Sequence, residues 1–219
     1  MKEQRIGLIR VVSFEDQAIV HRHGRVLEKT FPGLRVISRC IHDQPEGVHD
    51  DESEAVAIPK IVDLGKEIVS SENIDVLIVS CAADPGVMEL RKQLDLPILG
   101  AGGSVAGLAL AYSRKIGVLG ITDRAPGAMS EVLGAHVVAE EKLEGVTSTL
   151  DLMEEAGRSA ASAAVRRLTS AGVEVVALAC TGFTTIGYAD ELERIAGVPV
   201  LDAVLAAGLA ATFVMRSRW

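Results

Sequence analysis

The chain has 219 residues, 48% hydrophobic but only 3% aromatic, so its interior must be built from Val, Ile, Leu and Ala; that suits parallel strands covered by helices on both faces. Its 22 Lys and Arg against 30 Asp and Glu give a net charge of -8 with no basic tract, which argues against a nucleic-acid partner. No apolar run nears the ~20 residues that span a bilayer, the start MKEQRIGLIRVV lacks a signal peptide's apolar core and cleavage site, and three scattered cysteines make no disulfide framework; the expectation is a soluble cytoplasmic protein with reduced thiols.

Short apolar runs then alternate with longer amphipathic ones. The first series predicts a strand at 6–11 and a helix at 15–30, with Ser13 and Asp16 as a capping pair. A strand at 34–38 follows, then a helix at 53–71 that Pro59 starts or kinks. Strand 74–80, helix 85–94, strand 97–100 and helix 104–113 complete the series. The second series reads strand 116–121, helix 126–133, strand 135–138, helix 147–170, strand 173–179, helix 188–196, strand 198–201 and helix 203–216. Such alternation implies parallel sheets with right-handed crossovers.

The two series repeat each other. NIDVLIVSCAADPGVMELRKQLDLPILGA (73–101) lies over GVEVVALACTGFTTIGYADELERIAGVPVLDA (172–203), and RIGLIR (5–10) matches KIGVLG (115–120). Each half carries four βα units and one cysteine, Cys81 or Cys180, at the end of its third strand. The expected fold is therefore α/β: two similar halves related by a pseudo-twofold axis, each a parallel sheet flanked by helices, with the active site between them. The halves are placed at 1–98, with the final helix 204–219 packing back, and at 99–203.

Ligands of open α/β sheets bind beyond the carboxyl ends of the strands. Two thiols at matched strand ends would reach one cleft from opposite sides, which is what inversion of a stereocentre requires: one takes a proton, the other delivers one to the opposite face. A thiol suits this because its free pKa of ~8.5 can be lowered toward neutrality by local dipoles. The amides of Ala82, Ala83, Thr181 and Gly182 are candidate donors to the thiols or to an enolate oxygen, and the small side chains of Ala82, Ala83 and Gly182 leave that backbone open. Arg10 and Val11 end the first strand and join the binding set, Arg10 as a group that could serve a carboxylate; Thr122 and Arg124 close the strand matching it, so they line the cleft or form a solvated turn. Asp84 either orients a thiol or caps the helix near Pro85. Gly100-Ala101-Gly102-Gly103-Ser104 resembles a dinucleotide loop, but Val105 stands at the third glycine position, so Ser104 is read as a helix cap at the cleft rim. Cys40 has no counterpart in the second half and is read as structural. His21 and His23 are two apart in a helix and diverge, and His42 and His49 lie in an acidic loop with no supported metal site.

On these residues the chain resembles the aspartate/glutamate racemase superfamily. Ser80-Cys81-Ala82-Ala83-Asp84-Pro85-Gly86 and Ala179-Cys180-Thr181-Gly182-Phe183 are most similar to its hydantoin racemase branch, with a Cys-x-x-Asp-Pro-Gly loop and a Cys-small-Gly turn. The resemblance implies Cys81 and Cys180 as two bases, no metal or organic cofactor, a small-molecule substrate and an even-numbered homo-oligomer. The chain departs from the branch at Ile9-Arg10-Val11-Val12, where hydantoin racemases carry Asn-Pro-Asn. Amino-acid racemases carry Asn-Thr where this chain has Ala82-Ala83, and Thr-His or Thr-Glu where it has Thr181-Gly182. With fewer groups to grip a free carboxylate and ammonium, a neutral 5-substituted hydantoin is favoured. Free amino acids, a one-cysteine decarboxylase or isomerase, and a silent binding module using residues 100–104 are the alternatives.

Overall fold

In the computed structural model, which describes residues 3–216, the first half runs β1 (Gln4–Arg10), α1 (Gln17–Val20), α2 (Arg22–Thr30), β2 (Leu34–Cys40), α3 (Asp51–Ser71), β3 (Val76–Ser80), α4 (Val87–Gln93), β4 (Ile98–Gly100) and α5 (Ala101–Tyr112). The second runs β5 (Ile116–Gly120), α6 (Gly127–Leu133), β6 (Val137–Lys142), α7 (Glu155–Ser170), β7 (Val175–Leu178), α8 (Gly182–Ile186), α9 (Ala189–Ala196), β8 (Val200–Leu201) and α10 (Ala203–Arg216). Each half holds one four-stranded sheet, ordered β2-β1-β3-β4 and β6-β5-β7-β8, and every pairing is parallel. The sequence duplication is thus a duplication of topology.

Burial explains the sequence pattern. Every residue of β3, β5 and β7 is buried, so these strands are unbroken apolar runs rather than alternating ones. Edge strand β6, VVAEEK, alternates half-buried and exposed positions and carries the charges. One apolar cluster joins the halves: Leu8 and Ile78 of the first sheet share it with Val118 and Val175 of the second, through Val105 of α5 and Val204 of α10. The equivalent helices α5 and α10 pack on each other, and α10 also packs against α2, β3 and β4. The approach is close at Gly208, where a Cβ would run into Leu27 and Phe31.

Several boundaries differ from the sequence reading, each for a local reason. The helix expected at 15–30 breaks at His21 into α1 and α2. Ser13 and Asp16 do not act as a pair: Asp16 alone caps α1, accepting from the Ala18 amide, while Ser13 Oγ donates to the Ile41 carbonyl. Asp50 and Ser53 form the capping box that starts α3, which leaves Pro59 in the helix interior. Helix α5 follows β4 without a loop, so Gly100 rather than Ser104 is its N-cap. Residues 147–150 are loop, a 3-10 turn spans Asp151–Met153, and α7 starts only at Glu155; the Asp151 carboxylate accepts from the Thr147 and Ser148 amides and holds that loop. Residues 217–219 of the expected final helix lie outside the described residues.

Candidate active site

The carboxyl ends of the central strands of both sheets open into one cavity of about 810 Å³. Cys81, directly after β3, and Cys180, two residues past β7, both line it, at 8% and 7% exposure. Arg10, Val11, Ala82, Ala83, Thr122 and Thr181 line it too, so the structure brings this part of the expected set together. Arg124 also lines the cavity, next to Thr122, whose hydroxyl donates to its carbonyl (2.8 Å).

Asp84, Ser104 and Gly182 are placed differently. Asp84 sits in the left-handed region (φ 55°), and its two carboxylate oxygens accept from the Gly102 and Gly103 amides at 2.7 and 2.8 Å. These are first-turn amides of α5, which no helical carbonyl can satisfy. A Cβ at Gly100 would collide with the Asp84 carboxylate, and one at Gly102 with the Ala82 carbonyl. The glycine-rich stretch, the end of β4 and first turn of α5, is therefore the seat of the Cys81 loop, and the amides a bound phosphate would need are taken by Asp84. Ser104 turns its hydroxyl onto the Gly100 carbonyl (2.6 Å), not toward the cavity. Gly182 is buried behind Cys180, its amide 3.4 Å from Cys180 Sγ, and its missing side chain makes room for Thr149 and Leu152 rather than for a ligand.

The Cys180 loop has a parallel anchor. Thr184 Oγ1 donates to the buried Asp202 carboxylate, which in turn accepts from the Val204 and Leu205 amides at the start of α10 (2.8 and 3.0 Å). Each cysteine loop is thus fastened through a carboxylate to the first turn of a central helix.

Electrostatics in the cavity run opposite to the sequence expectation of lowered thiol pKa values. Burial pushes the Cys81 thiol up strongly, and Asp84, Cys180 and Glu54 push it the same way; only the Ala83 amide opposes them. Burial raises Cys180 as well, against three opposing influences, the Gly182 amide, the Thr149 hydroxyl (3.8 Å) and the Arg10 charge, with Asp202 adding to the rise. Burial also raises Asp84 to about 6, against the pull of its two amide donors and Arg91. The folded chain then holds that proton up to about pH 6, whereas the unfolded carboxyl releases it near ~4. Between these values the folded state binds more protons at this carboxyl, so its contribution to stability is full below about pH 4 and is lost as pH rises through about 6. Urea midpoints taken at steps from pH 4 to 7 should show that fall, and Asp84→Asn should reduce it.

Three residues of the site escaped the sequence reading. Thr149, expected inside a helix, stands in the loop beside Cys180. His49 lines the cavity with a buried Nδ1 that has no hydrogen-bond partner, its Nε2 facing Asp50 at 3.6 Å. His23 is fully buried, with Nδ1 2.8 Å from Ser80 Oγ and Nε2 2.8 Å from Thr185 Oγ1, a bridge between the halves. A short repeat could have pointed to this loop, since Glu46-Gly47-Val48 after β2 recurs as Glu144-Gly145-Val146 after β6. Among the described residues, no cluster of His, Cys, Asp or Glu is placed to hold a metal ion, and no helix is long and apolar enough to cross a membrane.

Two like-ordered parallel sheets, each delivering a cysteine to one shared cavity, define the class of two-lobed α/β racemase folds. The chain belongs to the Asp/Glu/Hydantoin racemase family, whose profile matches residues 20–211. It is similar to a hydantoin racemase of Pseudomonas sp. (strain NS671), 24% identical over 168 residues; the match covers 74% of this chain and 66%, just under two thirds, of that protein. Among solved structures, allantoin racemase from Klebsiella pneumoniae superposes with a TM-score of 0.83 at 19% identity, covering 97% of this chain and 88% of that one. A glutamate racemase isoform from Bacillus anthracis gives 0.71 at 13% identity, covering 99% and 83%. At such identities the two structures establish the shared fold.

Proposed function

We propose that the protein is a cofactor-independent racemase that inverts a carbon next to a carbonyl, with Cys81 and Cys180 as its two bases and 5-substituted hydantoins as its substrates. The observation that carries this is the pair of matched cysteines on opposite lobes of one cavity. One cysteine, as thiolate, removes the proton; the other, as thiol, delivers its own proton to the opposite face, so each turnover exchanges their protonation states. With the Gly182 amide turned onto Cys180, holding the enolate oxygen falls to the amides of Ala82 and Thr181.

The substrate class rests on the walls. Arg10, the cation at the base of the site, is engaged by the Ile19 carbonyl (2.8 Å) and Thr185 (3.1 Å), with the Phe14 ring 5.3 Å from its guanidinium carbon. Val11, Ala82, Ala83 and Ile121 give the lining, which also carries Glu54, Asp123, Arg124 and Lys142, an apolar part that suits a neutral ring better than a zwitterion. Relatives named hydantoin racemase and allantoin racemase support the same choice. The deciding experiment incubates the protein in D2O with each enantiomer of a 5-substituted hydantoin, then of aspartate and glutamate, beside enzyme-free blanks. Deuterium entry at the chiral carbon with loss of optical rotation is expected for the hydantoin; exchange confined to the amino acids would overturn the substrate class, and no exchange with any compound would overturn the reaction.

A further inference from the structure

Beneath the two thiols lies a buried polar network that the two-base chemistry leaves unused. Arg10 Nη2 donates to Thr185 Oγ1, the same oxygen meets His23 Nε2, and His23 Nδ1 meets the hydroxyl of Ser80, the residue before Cys81. Thr185 belongs to α8, the helix directly after Cys180, and Thr181 Oγ1 donates back to the Ser80 carbonyl at 3.2 Å. The Arg10, His23, Ser80 and Thr185 side chains are buried: Arg10 is 2% exposed and His23 not at all.

A neutral imidazole fits it. One ring nitrogen must donate and the other accept, and two hydroxyls, each able to do either, satisfy both tautomers. Burial, Arg10 and Arg22 all hold the ring uncharged, against one opposing influence from the Thr181 backbone. The cation of the network is therefore Arg10, lowered by burial only to about 10 and still charged at neutral pH. Its charge acts on Cys40, its register partner in the β1–β2 pairing, and on Cys180, with which it lines the cavity.

The surroundings of the two thiols are accordingly unequal. Cys180 has the Gly182 amide, the Thr149 hydroxyl and the Arg10 charge, with Asp202 the one carboxylate opposing. Cys81 has the Ala83 amide and faces Asp84, Glu54 and Cys180. Their exposures, 8% and 7%, are the same for practical purposes, so access does not distinguish them.

We propose that His23 is a positioning residue: by holding Thr185 against Arg10 and Ser80 against the opposite lobe, it fixes the guanidinium on the Cys180 side of the site, which makes Cys180 the more readily ionised thiol of the pair. The enantiomer whose proton faces Cys180 then meets the thiol that ionises first, and the other must wait for a proton to cross between the cysteines. The proposal deepens the two-base reading, but its test needs no substrate.

The experiment is timed alkylation of the whole protein with iodoacetamide between pH 6 and 9, quenched in denaturant and mapped by peptide mass, which resolves Cys40, Cys81 and Cys180. In the unmodified protein Cys180 should react at least tenfold faster than Cys81 at pH 7.5. Thr185→Val should cut that ratio about tenfold, and Thr185→Ser should restore it. His23→Gln, whose amide reaches the Nε2 position, should retain most of the preference; His23→Asn, which reaches only Nδ1, should lose it. Circular dichroism checks that each variant is folded. Equal labelling of the two cysteines, or faster labelling of Cys81, in the unmodified protein overturns the proposal even if every variant fails to fold. A ratio unchanged in folded Thr185→Val overturns the role of the network. Racemisation failing in D2O while the labelling asymmetry persists would sink the proposed reaction and leave this arrangement standing.

Discussion

Cys81→Ala and Cys180→Ala should each lose racemisation by at least ~10³-fold, the scale on which a positioned acid or base contributes. The informative result is the difference between them. With one thiol gone, the remaining thiolate still removes the proton on its own side and returns a solvent-derived proton to the same face. Each variant should therefore wash deuterium into one enantiomer without inverting it, and the two variants should choose opposite enantiomers. Cys40→Ala, whose thiol is outside the cavity lining, should retain full activity. Because enantiomers in solution are equal in free energy, kcat/KM must be the same in both directions, so any asymmetry between the thiols has to appear as matched differences in kcat and KM. A Cys81 or Cys180 variant that still interconverts both enantiomers at the unmodified rate would refute the two-base assignment.

The second large effect concerns the seat beneath Cys81. Gly102→Ala places a methyl group on the Ala82 carbonyl, a backbone atom that cannot swing aside. Either α5 or the Cys81 loop must shift, and the bond from the Gly102 amide to Asp84 is lost with it. The expected cost is about 3 kcal/mol, at the upper end for overpacking, which in a chain of this size lowers Tm by roughly 6–12 °C. Activity should fall further than stability does, since a displacement of the base of about 1 Å can cost ~10²-fold. Gly107, exposed in the same helix with nothing within 4 Å of its would-be Cβ, is the control. There alanine should raise stability by about 0.5–1 kcal/mol. Thermal melts of the two variants should move in opposite directions.

Much of this fold is written locally. Eight short apolar runs, a βα rhythm and two cysteines at matched strand ends are near-neighbour patterns, and they placed both sheets and both thiols. The Cys-x-x-Asp-Pro-Gly loop was equally visible, but not what Asp84 does, because its partners Gly102 and Gly103 belong to a helix beyond the next strand. His23 was invisible for the same reason in stronger form. Its spacing from His21 says only that the two diverge on a helix, while its partners are Ser80 and Thr185, 57 and 162 residues away. Arg10 looked like a substrate ligand because it ends a central strand; its Ile19, Phe14 and Thr185 contacts depend on how the chain packs around it. Gly182 looked like clearance for a ligand and proved to be clearance for Thr149 and Leu152. What the sequence hid was the set of polar contacts between distant segments, which carry no periodicity.

The packing of α10 onto the first sheet also governs how the protein is born. A chain growing from its N-terminus completes β4 at Gly100 but does not reach α10 until Ala203. At ~5–20 residues per second, that gap lasts on the order of 5–20 s. Throughout it Leu27, Phe31 and Val105 lack the cover that Val204, Ala207 and the close approach at Gly208 later provide. The first lobe therefore cannot close its apolar cover until the last helix of the second has been made.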